Sequence, residues 1–500
     1  METAPTSSLT AAAVGQILTH PRSSTWVSGK RAVGKRRISR FKAIAGGLTL
    51  GAVLAWNGVP EELSAHLKPS TLAPAAAVTA QWVELANPLV DVGKRADGSF
   101  DAYAMLRSWK AAGLSRDESE LLIHAVQNTP PVLLLRDDPV VLHELRTSQQ
   151  NLVDALQVKF PQAFEKLQAQ ARRPFADRAQ RNWSKDDWKG LTQAWEGYRT
   201  QSPVEAVRSS ADLATAQRLL ARAGQDVGLR GLMVSWEDLS NPSRLMNLAD
   251  NLRQANQDLK TVTGWDGQLL GLNGNVMLYL NRPSPSLGAS GFATMDDRGV
   301  VSIVAQWDAL AHEWLHGVDY LSGRVVPKAS LGTLMTEQSQ KPLRLYNNWS
   351  QGLSWQRLLK DVEATSPQWF AHKHRAHEKA ARATAKAGAS SWSQNVQHDG
   401  YWLRPTETLS FAFETHVAMN PAVKVLGKTR QALELENSQG PQRLPSIKEV
   451  TAQSPYWQAF FDANKHLLPS ESLGTLRAQR VAQKAPSADV PSRLSPAPGR

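Results

Sequence analysis

Apolar residues between positions 99 and 225 recur at three- and four-residue spacing, the period of helices with one buried face. The pattern predicts helices over Tyr103–Ala112, Asp117–Val126, Asn151–Gln170, Asp186–Tyr198 and Ser209–Gly224. Local signals agree: Ser115 precedes Asp117-Glu118, Ser184 precedes Asp186-Asp187, and Pro130-Pro131 closes a helix. Trp183, Trp188 and Trp195 fall near helical spacing and read as core. Beyond position 225 the pattern becomes mixed. Asn241–Leu259 reads as a helix with Leu245, Leu248, Leu252 and Leu259 on one side, and Val276–Asn281 and Val300–Ala305 read as short strands. Pro283–Asp297, rich in Gly, Ser and Pro, reads as their connection. A helix is expected over Asp308–Tyr320 with Ser322-Gly323 as its stop, another from Arg404-Pro405 to Asn420-Pro421, and a last one over Tyr456–Leu467. The fold class expected is α+β, mostly helical.

The same pattern divides the chain. Residues 1–42 are polar, basic and compositionally disordered; 43–57 form an apolar run behind Lys35–Lys42; 58–98 are Ala/Pro-rich and read as a linker. Residues 99–224 form the helical region, 225–468 the mixed domain, and 469–500 a disordered basic tail. Basic-then-apolar order suits a signal sequence or anchor, which would make residues 43–57 a membrane contact and the protein anchored or exported. The alternative is a helix packed on the body of a protein that is cytoplasmic or delivered into a host. Charge sharpens the picture. Of the net +12, residues 1–42 (eight Lys/Arg against Glu2) and 471–500 (five against two acids) carry +10, so the body is nearly neutral. That argues against nucleic acid as a partner of the folded body. Cysteine is absent, which excludes disulfides, thiolate metal sites and cysteine nucleophiles.

The chemistry concentrates at His312-Glu313-Trp314-Leu315-His316. Residues four apart lie on one helical face, so both imidazoles can reach one Zn²⁺, with Glu313 placed to act on its water. Leu310, Trp314, Val318 and Leu321 form an apolar stripe and His312, His316 and Asp319 a polar one; burying the first aims the second into a cleft. Asp319 is read as a group that orients a histidine, because metal-bound imidazoles need such partners. A catalytic zinc needs a third protein ligand. Glu407 is the candidate, in the first turn of the later helix, with Glu414 seven residues on, on the same face, supporting the site from behind. Simple stabilisation of the helix start by Glu407 is an equal reading. His372, His374 and His377 alternate with basic residues in Ala371–Lys386, which reads as a solvated helix; His416 falls away from the Glu407 face.

Several blocks resemble a known family. Leu310-AHEWLHGV-Asp319 and Glu407-TLSFAFE are similar to the zinc-binding helix pair of anthrax lethal-factor-type peptidases. With Gly228–Gly231 near Trp236, Leu272–Gly274, Gly291–Ala293, Val300–Ile303, Tyr401-Trp402 and Pro405–Glu407, the chain more closely resembles the zincin-like large polyvalent protein-associated domain of phages and mobile elements, over roughly residues 225–420. The resemblance implies a small sheet with an HExxH helix and a second Glu-bearing helix. It implies His312, His316 and Glu407 as zinc ligands, Glu313 as general base and Tyr401 as a group that steadies the oxyanion. Leu315, Gly317 and Phe411 depart from the family pattern, and none of them is a ligand. The expected activity is zinc-dependent hydrolysis of a protein or peptide substrate, with strand Val300–Ala305 or Val276–Asn281 offering it an edge. The alternative expectation is a non-catalytic binding or structural module that keeps the zincin shell.

Overall fold

The computed structural model describes residues 80–83, 87–96, 99–127, 131–177, 191, 195, 212–280, 291–296, 299–325, 349–387, 403–427, 433–434 and 444–465. The basic ends, the apolar run 43–57, Tyr401 and nearly all of Asp186–Tyr198 lie outside them. No helix among the described residues is long and apolar enough to cross a membrane.

One six-stranded sheet organises the molecule. Its strands are β1 (Gln81–Val83), β2 (Val132–Leu134), β3 (Gly231–Met233), β4 (Val276–Leu280), β5 (Gly291–Met295) and β6 (Val301–Ala305), in spatial order β1-β2-β3-β4-β6-β5. β3, β4 and β6 run parallel, while β1, β2 and β5 pair antiparallel with their neighbours. β4 is buried at all five positions, as its unbroken Val-Met-Leu-Tyr-Leu run requires of a strand covered on both faces. β6 alternates buried and half-buried residues. β5 turns back onto β6 through Asp296, whose carboxylate accepts from the Val300 N–H at 2.8 Å.

Several expectations are corrected here. β1 and the short helix α1 (Pro88–Asp91) lie in the stretch read as linker, and β2 lies in the region read as helical. Three-residue strands are too short to show a period; pairing with β3 is what defines them. β5 lies in Pro283–Asp297, read as a connection. The other helices in chain order are α2 (Ala102–Ala111), α3 (Arg116–Gln127), α4 (Pro139–Lys159), α5 (Pro161–Ala171), α6 (Leu213–Asp226), α7 (Trp236–Leu239), α8 (Pro242–Thr263), α9 (Leu310–Val325), α10 (Trp349–Thr365), α11 (Pro367–Ala387), α12 (Pro405–Met419) and α13 (Ile447–Ala463). The single helix expected over Asn151–Gln170 is two, because Pro161 holds Phe160 at a non-helical φ −127°, ψ 53°. α9 runs past the stop expected at Ser322-Gly323; Leu321 and Ser322 are fully buried, and that packing outweighs the weak helix propensity of Gly323. α13 starts nine residues before the expected Tyr456, at a Ser446/Glu449 capping box, and carries Pro455 inside it.

A continuous apolar core runs from Leu89 and Val90 of α1 through α8 and α9 to Phe461 of α13. Some of its indoles are anchored as well as packed. Trp314 Nε1 donates to the Leu269 carbonyl at 2.8 Å, and Trp265 Nε1 to the Phe461 carbonyl at 2.7 Å. Trp314 also stacks on Phe413, which fixes α9 against α12.

Candidate metal centre

α9 leaves the end of β6 with its two faces sorted as the stripe pattern requires. Leu310, Trp314, Val318 and Leu321 are fully buried in the core. His312, His316 and Asp319 are also buried, and the two histidines meet α12. On α12, Ser410, Phe411 and Glu414 lie three, four and seven residues beyond Glu407, on the same helical face. Two helices 95 residues apart in the chain thus bring together His312, His316 and Glu407, each offering an atom within 4.8 Å of the others.

The geometry of these atoms is specific. His312 Nε2 lies 3.2 Å from His316 Nε2 and 3.2 Å from Glu407 Oε2; His316 Nε2 lies 3.6 Å from Glu407 Oε1. The other ring nitrogens face fixed partners, with Glu414 Oε2 at 3.5 Å from His312 Nδ1 and Ser410 Oγ at 3.3 Å from His316 Nδ1. A partner at Nδ1 orients each ring and leaves its Nε2 lone pair for the shared point. Phe411 packs edge-on against His312, ring centres 4.5 Å apart, and limits its rotation.

Several ionisable groups are buried together around these atoms. Glu313, Glu407, Glu414 and Asp319 are all buried here, and the nearby buried ammonium among the described residues is that of Lys373. Burial alone pushes His312 down, but bonds to Glu407 and Glu414 outweigh it and raise its pKa to about 10. Burial pushes Glu407 up, and the two imidazoles override this to hold it well below the usual carboxylate range. A metal bound by these nitrogens would compete with protons for them. Two nitrogens and a carboxylate oxygen, without sulfur, form a donor set that fits zinc.

Glu313 lies beside these groups and is coupled to His312, His316, Glu407 and Glu414. Burial raises its pKa, against the pull of His312 and His316. It faces Gly291 at the start of β5: a Cβ built there would lie 2.7 Å from Glu313 Cγ and 2.8 Å from its Oε1. The strands expected to offer a substrate edge do not, since β4 lies between β3 and β6, and β6 between β4 and β5. The edge beside the site is β5.

Among the expected supporting groups, Glu414 lies behind His312, and Asp319 is buried one turn along α9 from His316. Three contributors escaped the sequence reading: Ser410, Gly291 and Lys373. The helix read as solvated, α11, leaves His374 exposed but turns Lys373 inward; Trp369, four residues earlier on the same face, was the available signal. Lys373 Nζ donates to Thr408 Oγ1 at 2.8 Å and sits 4.3 Å from the Trp369 ring centre; burial lowers its pKa to about 7 although Glu407 favours its charge. His416 lies away from the centre, stacked on Trp457 and lowered to about 4 by burial. Compared with protein-family models, with curated proteins and with solved structures, the chain matches none.

Proposed function

We propose that this protein is a zinc-dependent metallopeptidase. The observation that carries the reading is the convergence of His312 Nε2, His316 Nε2 and Glu407 on one point between α9 and α12, with Glu313 buried beside it. His312, His316 and Glu407 would hold the zinc, and the ion would supply Lewis acidity that activates water. Glu313 is the general base: it takes a proton from the attacking water and returns it to the leaving amine. Glu414 and Ser410 hold the two imidazoles in register. β5, at the sheet edge, offers backbone N–H and C=O groups to an extended peptide, and Gly291 leaves room beside Glu313. A purely structural centre would not need a buried Glu313 next to its ligands, and burying a carboxylate without such a use is costly. The motif resemblance drawn from Leu310–Asp319 and Glu407–Glu414 supports the same reading.

The test pairs metal content with hydrolysis. Elemental analysis of the purified wild type is expected to show stoichiometric zinc, retained in Glu414→Ala and lost in Glu407→Ala. Loss in Glu414→Ala alone would overturn the ligand assignment, and iron in place of zinc would change the chemistry, since two histidines and a carboxylate also suit ferrous iron. Wild type should cleave an undirected library of unstructured peptides, and Glu313→Gln should keep its zinc and lose about 10²–10⁴-fold in rate. Equal cleavage by both proteins would sink the peptidase reading.

A further inference from the structure

The third ligand stands in the first turn of α12, which its own helix closes through the backbone bond from Thr408 N–H to the Arg404 carbonyl at 2.9 Å, with no side-chain cap added to it. α12 has Arg404 at its N-cap with no side-chain bond to the first turn, and Pro405 follows. A polar N-cap side chain would normally satisfy one of the free N–H groups and fix that turn. Glu407 nevertheless has to be held within about 0.5 Å of its working position for a metal site to be well formed.

A second fastening, through a side chain, comes from α11. Lys373 reaches across to donate to Thr408 Oγ1 at 2.8 Å, one residue beyond the ligand. Its Nζ lies 4.3 Å from the centre of the Trp369 ring, which steadies it by cation–π attraction. Trp369 is itself tied down: its backbone N–H donates to Glu449 Oε1 at 3.0 Å, and Glu449 Oε2 caps the start of α13 through Ser446. A line of fixed groups thus runs from the α13 cap, through Trp369 and Lys373, to the turn that bears Glu407. Stability alone does not account for Lys373. Burying an ammonium is costly, and a well-packed apolar residue of similar size often serves equally well or better.

We propose that Lys373 is a positioning residue for Glu407, locking its turn through Thr408 and so setting the affinity of the metal centre. This rests on the metal reading above. Co²⁺ affinity, measured on the full-length protein by chelator competition and by the visible absorption of the bound ion, tests it without reference to turnover. Lys373→Met and Thr408→Val are each expected to weaken Co²⁺ binding by about 10–100-fold, the usual cost of removing a group that orients a ligand. The double variant should be no weaker than the worse single one, because both act through one bond. Thr408→Ser keeps the hydroxyl and should bind as wild type does. Val417→Ala, in the core of the same helix, should lower the melting temperature and leave affinity alone. If Lys373→Met does not fold, the contrast between Thr408→Val and Thr408→Ser decides. Unchanged or tighter binding in Lys373→Met, additive losses in the double variant, or equal affinities in Thr408→Val and Thr408→Ser would overturn the proposal. Failure of the wild type itself to bind Co²⁺ or Zn²⁺ would instead bring down the metal reading beneath it.

Discussion

The two ends of the sheet bury charge in opposite ways. Near β2 and β3, Arg230 and Asp138 form a closed pair: Arg230 Nε donates to Asp138 Oδ2 at 2.9 Å and its Nη1 to the Gly274 carbonyl at 3.4 Å. Asp138 also accepts from the Val141 N–H at 3.0 Å, capping α4. Arg230 and Asp138 face each other directly, with the half-buried Arg136 guanidinium alongside, its pKa lowered by burial and by Arg230. Beside β6 and β5, four buried carboxylates, two imidazoles and one ammonium share a small volume, and two ring nitrogens face each other at 3.2 Å. A closed pair is complete and serves to join elements. Acids gathered around two converging ring nitrogens are arranged differently: His312, His316 and Glu407 present donor atoms that could hold a metal ion, which a closed ion pair does not.

The largest effect that would break this comparison is loss of the centre itself. His316→Ala should lose both zinc and hydrolysis, whereas Asp138→Ala should keep its zinc, as elemental analysis would show. In stability the order reverses: Asp138→Ala strands Arg230 in the interior and should cost about 3–5 kcal/mol in urea unfolding. A thousandfold excess of zinc over its dissociation constant should add about 4 kcal/mol to wild type and to Asp138→Ala alike, and nothing to His316→Ala. An equal gain in His316→Ala would mean that the metal binds elsewhere.

His416 sharpens the comparison through pH. Its folded pKa of about 4 lies below the ordinary value of 6.5, so the unfolded chain takes up the proton first as pH falls. Its contribution is fully present above pH 6.5 and is lost as pH falls from 6.5 towards 4, at up to about 1.4 kcal/mol per pH unit. Wild type measured against His416→Phe should show that difference in slope. The smallest effect expected is at β5. Gly291→Ala would press on Glu313 and should slow hydrolysis by roughly tenfold through misplacement of the carboxylate, with zinc content unchanged. Full activity in that variant would show that Glu313 has room to move.

The legible parts were those whose signals are local. α12 was bounded closely at both ends by Pro405 and by Asn420-Pro421, and the polar and apolar stripes of α9 were read residue by residue. The illegible parts depend on partners distant in sequence. β5 is half-buried at every position, so it carries no alternation, and only its pairing with β6 makes it a strand. Lys373 sits among histidines and arginines that look solvated; that it turns inward follows from Trp369 and Thr408 meeting it there.

What the sequence determined by itself is the helical period. Four residues separate His312 from His316, so any helix through them sets both rings on one face, and the apolar stripe opposite settles which way that face turns. What only the tertiary structure decided is which distant groups meet it. Glu407, 95 residues away, comes within 3.2 Å of His312 because the core around Trp314, Phe413 and Phe461 clamps α9 to α12. β5 lies over Glu313 because it pairs with β6. Both contacts come from burial and strand pairing summed over the whole core, and neither is written in any local stretch of the chain.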